Sequence, residues 1–211
     1  LQTGEAMMVS GVAMFLTAPI AGRLSQSVDL RLMMGAGFVL FAYSAWMMAG
    51  LTSDWDYWEI FVPQILRGVS LMICMVPVSN IALGMLPPAE VKNASGLFNL
   101  TRNLGGAVGL ALINTILRNR QDFHYARIAE SVTGTNPAAL GTLDGLGQAY
   151  SSLGQAADTA ALATLTGMAR TQAMVMSLAD IFVLLTALFL GLGALLFFVE
   201  RPRPGAGGGG H

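Results

Sequence analysis

Five long apolar stretches, each without charge or with a single arginine, constrain this chain more than any other feature. Crossing a hydrocarbon layer takes about twenty apolar residues in a helix, because the backbone must satisfy its own hydrogen bonds there. Residues 6–21 and 32–51 carry no charged side chain, residues 60–86 only Arg67, and residues 94–117 only Arg102. The last stretch, residues 181–199, is uninterrupted and has Asp180 and Glu200 as its polar ends. The expected fold is all-α, a polytopic bundle of transmembrane helices. Composition agrees: 11% of the residues are charged, against roughly a quarter in a soluble domain. A water-facing surface for a chain of this length needs more Lys, Arg, Asp and Glu than that.

Other classes are excluded on chemical grounds. A formal net charge of −1, with no basic stripe, leaves nothing to neutralise the phosphates of a nucleic acid. The single cysteine, Cys74, forbids an internal disulfide and any cysteine-cluster metal site, and its apolar surroundings suit a small hydrophobic role. His124 and His211 have no partner at metal-ligand spacing, so no metal or cofactor is expected and His124 is expected at the surface. The motifs HExxH, GxSxG and GxxxxGK[ST] are absent, which removes hydrolysis of a substrate or of ATP. The chain opens Leu1-Gln2-Thr3-Gly4-Glu5, with neither an initiator Met nor a secretory signal pattern, and is expected to be the carboxy-terminal part of a longer membrane protein.

The remaining residues form links. Gly22-Arg23-Leu24-Ser25-Gln26-Ser27-Val28-Asp29-Leu30-Arg31 is expected as a short polar link, and Ser53-Asp54-Trp55-Asp56-Tyr57-Trp58-Glu59 as an interfacial one rich in acids and aromatics. Pro87-Pro88-Ala89-Glu90-Val91-Lys92-Asn93 is expected as a turn, since tandem prolines cannot continue a helix. Residues 118–179, rich in Ala, Gly, Ser, Thr and Gln, are expected as a large extramembrane loop with helices over 119–132 and 158–177, broken at Thr133-Gly134-Thr135-Asn136-Pro137. Residues 200–211 are expected as a flexible cytoplasmic tail. If the five stretches alternate, Arg23, Arg31, Lys92, Arg201 and Arg203 fall on one side, which the positive-inside rule makes cytoplasmic. The opposite side holds Asp54, Asp56 and Glu59, with Arg118, Arg120, Arg127 and Arg170 in the long loop.

Few residues inside the spans carry chemistry. A charge two turns inside a span costs several kcal/mol unless it is paired, snorkels or faces water. Arg67, with Gln64 one turn before it, either lines a cavity or pairs near an interface. Asn99, Asn103 and Asn114 share one helical face with Arg102 beside them, a stripe unsuited to lipid that either glues helices together or lines a cavity. Gly105 and Gly109, with Gly106 between them, give the small-xxx-small spacing of close helix packing. Pro77 removes a hydrogen bond to the Ile73 carbonyl and kinks its helix, either as a hinge or for packing. The thirteen methionines suit either core filling or a cavity that repacks around varied apolar ligands. Asp180 marks the end of a span, where it either terminates it or senses protons.

The loop Gly22-Arg23-Leu24-Ser25, with Arg31 following, resembles the G-R-L-[ST]-D-R-x-G-x-R signature of major facilitator transporters, with Gln26 in place of its acid, Ser27 of its base and Asp29 of its small residue. A longer block is similar to the fourteen-helix drug:proton antiporter family, in particular its EmrB-type inner-membrane subunits. It comprises Pro63-Gln64-Ile65-Leu66-Arg67-Gly68, then Pro77, then Ala94-Ser95-Gly96-Leu97-Phe98-Asn99-Leu100-Thr101-Arg102-Asn103-Leu104-Gly105-Gly106. The glycine-rich ending Gly205 to His211 is similar as well. The resemblance implies the last five helices of a major facilitator fold in a bacterial inner membrane, a periplasmic long loop and a cytoplasmic carboxy terminus. It implies proton-coupled export of small hydrophobic or amphipathic drug-like compounds by alternating access, with a periplasmic adaptor and an outer-membrane channel as protein partners. Two other readings stand beside it: a transporter of a polar metabolite or siderophore, and a membrane scaffold that transports nothing.

Overall fold

The computed structural model describes residues 2–50, 52, 57–83, 87–132 and 136–196. Asp54, Trp55 and Asp56 of the interfacial link, Met85, Thr133 to Thr135 of the expected break, and Phe197 through His211, with Glu200, Arg201 and Arg203, lie outside them. The described residues form six α-helices in the order α1 (Gln2–Ser27), α2 (Leu30–Ala49), α3 (Tyr57–Leu83), α4 (Pro88–Ser131), α5 (Pro137–Ala149) and α6 (Ala157–Leu195), with a 3₁₀ turn over Ser151–Ala156. Among the described residues there is no strand.

The helices outrun the apolar stretches that announced them. The link expected over residues 22–31 shrinks to Val28 and Asp29, because Ser25 and Ser27 return their hydroxyls to the carbonyls of Gly22 and Arg23 and stay helical (2.8 and 3.5 Å). Asp29 then starts α2 by accepting the Arg31 backbone N–H on Oδ1 at 3.0 Å. The tandem prolines open α4 instead of forming a separate turn. Pro88 takes the first helical position, where its missing N–H has no partner to lose, and Pro87 offers its carbonyl to the Glu90 and Val91 N–H groups (2.9 and 3.3 Å). Trp58 and Glu59 likewise belong to α3 rather than to a link.

Residues 118–131 continue α4, and residues 157–179 lead without interruption into the last apolar stretch as α6. At 1.5 Å per residue, the 44 residues of α4 make a helix about 66 Å long, against a hydrocarbon layer of about 30 Å. A helix of that length has to leave the layer. Its polar carboxy-terminal portion, residues 118–131, suits water.

The chain divides into two compact units, drawn from Leu1–Gly50, Asp54–Ala111 and Phe182–His211 for the first and Leu51–Ser53 and Leu112–Ile181 for the second. In the first, α3 packs against both α1 and α2, while α1 and α2 touch each other only marginally. The close approaches are made at two glycines of facing helices. A Cβ on Gly68 would lie 2.5 Å from the Ser10 carbonyl oxygen of α1, and one on Gly37 of α2 would lie 2.5 Å from Cys74 Sγ of α3. Phe189 of α6 stacks on Phe41 and Phe38 of α2, with ring centroids 4.1 and 5.8 Å apart. In the second unit, Gly154 turns the chain with φ +57°, a conformation open to glycine, and the Tyr150 hydroxyl meets Thr164 Oγ1 at 3.2 Å.

Candidate functional site

Helix α3 carries two prolines, Pro63 and Pro77, both fully buried. Neither has an N–H to give, so the carbonyls one turn back lose their usual donors. Buried Ser44 of α2 donates its hydroxyl to the carbonyl of Pro63 itself at 2.8 Å, a bond from helix to helix. Immediately beyond, Gln64 and Arg67 stand one turn apart and line a cavity of about 70 Å³ together with Phe41, Met48 and Phe182. That volume accommodates a few water molecules.

The cavity is electrostatically unfinished. Gln64 Oε1 is buried and accepts no hydrogen bond, an omission worth about 1–3 kcal/mol. Arg67 is half-buried and has no ion-pair partner among the described residues. Its own carbonyl accepts the Ser70 hydroxyl at 2.9 Å. Gln64, Arg67 and Ser44 are the polar residues of a wall otherwise lined by apolar side chains.

The other sequence candidates stand elsewhere. Asn99, Arg102 and Asn103 are exposed on α4, as is Asn114, which belongs to the second unit. A Cβ added at Gly105, Gly106 or Gly109 would meet nothing within 4 Å, so within this chain their small surface abuts no neighbour. Of the loop motif, Gly22 is half-buried, Arg23 exposed, Asp29 caps α2 and Arg31 lies half-buried in the first turn of that helix. Pro77 is fully buried.

One cluster escaped the sequence. His124, expected at the surface, has a side chain only 13% exposed, and its Nε2 lies 2.7 Å from Asp180 Oδ2, with Arg120 Nε 3.6 Å from the same oxygen. The reason is the second unit's helix pairing: Gln121, His124, Tyr125 and Ile128 are the half-buried positions of that stretch, an i, i+3, i+4, i+7 face. The face is mixed in polarity, so no apolar periodicity revealed it. Arg127 over the Phe123 ring and Arg170 over the Tyr125 ring, both 5.7 Å from the centroids, add cation–π contacts. No group of three metal-ligating side chains occurs among the described residues.

Five helices among the described residues are long and apolar enough to cross a membrane, which defines a multi-pass α-helical membrane protein. Residues 1–129 match the Major Facilitator Superfamily, and the chain belongs to that superfamily. It is 37% identical, over 96% of its length, to the colistin resistance protein EmrB of Acinetobacter baumannii, and 30% identical, over 98%, to the multidrug export protein EmrB of Escherichia coli. It is 27% identical, over 99%, to the fatty acid resistance protein FarB of Neisseria gonorrhoeae. The chain spans about 40% of the length of each of these relatives.

Proposed function

We propose that this chain is the carboxy-terminal part of a secondary transporter that exports hydrophobic or amphipathic compounds in exchange for protons. The compounds cross a bacterial inner membrane by alternating access of two helical bundles. Relatives named for multidrug export, colistin resistance and fatty acid resistance align along nearly the whole chain and support an amphipathic cargo.

One observation carries the reading to particular residues. Asn99, Arg102 and Asn103 are exposed on a helix of membrane-crossing length and composition. An arginine facing lipid near the centre of a helix costs about 2.5–3.5 kcal/mol, so this stripe faces water or protein. In the proposed mechanism it lines the path between the two bundles. Gln64 and Arg67 position the polar end of the cargo or couple its movement, Asn114 extends the stripe, and Pro77 with Gly105, Gly106 and Gly109 lets the helices shift. The loop bearing Gly22, Arg23, Asp29 and Arg31 lies on the cytoplasmic side with the carboxy terminus, and residues 118–179 lie in the periplasm. There they meet a periplasmic adaptor, itself joined to an outer-membrane channel.

The test is efflux of a fluorescent amphipathic substrate by the full-length protein in energised everted vesicles. Arg102→Ala and Asn103→Leu are expected to lower efflux at least about ten-fold, a loss of roughly 1.4 kcal/mol or more, with the protein still present in the membrane. Efflux that persists after the proton gradient is collapsed refutes the coupling. Full activity of both variants refutes the assignment of the stripe.

A further inference from the structure

A second unpaired cation sits at the other end of α2, beside a groove that the proposed transport path does not use. Gly35 and Ala36 of α2 and Gly193 of α6 belong to its walls, Leu32 and Leu190 stand at its rim, and Arg31 and Asp29 lie at its mouth. The groove holds about 700 Å³. It exists because glycine stands where the helices face each other: a Cβ on Gly35 would come to 3.9 Å from Leu196 Cδ1, and one on Gly193 to 3.7 Å from Phe38 Cβ. Larger side chains there would fill the space. Leu32 is 68% and Val39 56% exposed, so the groove opens outward along two membrane-length helices.

At the mouth, Arg31 Nε and Nη2 are shielded from solvent and donate to nothing. These two nitrogens share one edge of the planar guanidinium, the edge that grips two oxygens of a phosphate or carboxylate at once. Asp29 Oδ1 accepts the Arg31 backbone N–H at 3.0 Å as the cap of α2, and no ion pair joins the two side chains. Two guanidinium nitrogens held out of water with no acceptor are expensive to keep. They invite an anion.

We propose that this groove binds an anionic phospholipid, with its phosphodiester on the Nε/Nη2 edge of Arg31 and an acyl chain lying over Gly35 and Gly193. Arg31 is the second residue of α2, at the end of the span where headgroups lie. From Arg31 to Val39 the helix rises about 12 Å toward the bilayer interior, giving the chain an apolar wall. The guanidinium already lines the groove, and rotation about its terminal side-chain torsions turns the fork from the protein wall to the lipid. A water-soluble peptide matches it less well, because between Leu32 and Leu196 the lining offers only apolar side chains and glycines for its backbone.

The full-length protein, delipidated in detergent, is titrated with phosphatidylglycerol, phosphatidylcholine or inorganic phosphate, and bound lipid is counted by native mass spectrometry. Phosphatidylglycerol is expected to bind and to raise the melting temperature. Arg31→Gln and Gly35→Leu, the first removing the fork and the second filling the floor while keeping the charge, should each weaken it about ten-fold or more. Arg23→Gln, exposed on α1 and outside the groove, should leave it unchanged. Unaltered binding in Arg31→Gln overturns the proposal, as does equal loss in Arg23→Gln. So does equal retention of phosphatidylcholine, saturation by inorganic phosphate, or a wild-type protein that retains no lipid because another segment fills the groove. If Arg31→Gln does not fold, Gly35→Leu decides alone: normal binding with the floor filled rejects the site.

Discussion

Gly68 allows a sharp test of how the first unit is held together. Adding one methyl group there, as in Gly68→Ala, would bring its carbon to 2.5 Å from the Ser10 carbonyl oxygen, 3.0 Å from Ala13 Cβ and 3.3 Å from the Ser10 carbonyl carbon. Ordinary contact starts near 3.4 Å, so α1 must withdraw by about 0.9 Å at its tightest point. The obstacle is main chain inside a helix, which cannot rotate aside. Overpacking of this kind costs about 1–3 kcal/mol, and the roughly 1 kcal/mol by which alanine outranks glycine as a helix former offsets only part of it. The full-length variant in detergent is therefore expected to unfold at a lower temperature or denaturant concentration than the parent. Gly105→Ala, on an open surface in this chain, isolates the helix-propensity gain and should be neutral or slightly stabilising. Combining Ala13→Gly with Gly68→Ala relieves the contact at 3.0 Å but not the one with the carbonyl, so rescue should be partial. A Gly68→Ala protein as stable as its parent would refute the close approach of α1 and α3.

Three further outcomes are expected. Gly37→Ala meets Cys74 Sγ at 2.5 Å, a side-chain atom, and the Cys74 backbone N and Ile73 Cγ2 at 3.2 Å, so the double variant Gly37→Ala/Cys74→Ala should recover part of the stability lost in the single one, measured by the same unfolding assay. Gln64→Leu removes a buried oxygen that has no donor and should stabilise the protein by about 1–3 kcal/mol while lowering efflux; a loss of stability would show that Gln64 is satisfied in the full-length protein. A double-mutant cycle between His124→Gln and Asp180→Asn should give a coupling of about 0.5–3 kcal/mol in unfolding measurements, whereas strict additivity would show that the 2.7 Å contact contributes nothing.

The spans were legible because some twenty apolar residues in succession suit a helix surrounded by lipid and little else, and the arginines within them stood out for the same reason. The helix ends were not. Where α1 stops depends on serine hydroxyls that either leave the helix or bond back into it, and at Ser25 and Ser27 they bond back. The spacing of Gly105 and Gly109 describes two places on one helix, whereas close approach also requires a partner that comes near. The engaged glycines, Gly37 and Gly68, owe their role to Cys74 and Ser10 on other helices. Gln64 and Arg67 could be paired on one helical face from their numbers alone. That Ser44 and Phe182 close the cavity around them is a tertiary fact with no local signature. The contact of His124 with Asp180 joins residues 56 apart through a face of mixed polarity, the case in which periodicity is silent.

The shared use of α3 bears on how a protein of this kind can change its cargo. The helix that carries Gln64 and Arg67 also wedges against both α1 and α2 and holds two fully buried prolines. Under the function proposed above, substitutions around the cavity act on assembly and on recognition together, and few will alter one alone. The exposed polar stripe on α4 has no such double duty within this chain. If the proposed transport is under selection by a new toxic compound, α3 should stay nearly fixed while variation accumulates on the exposed face of α4 around Asn99, Arg102 and Asn103, where a new contact can be tried without loosening the bundle.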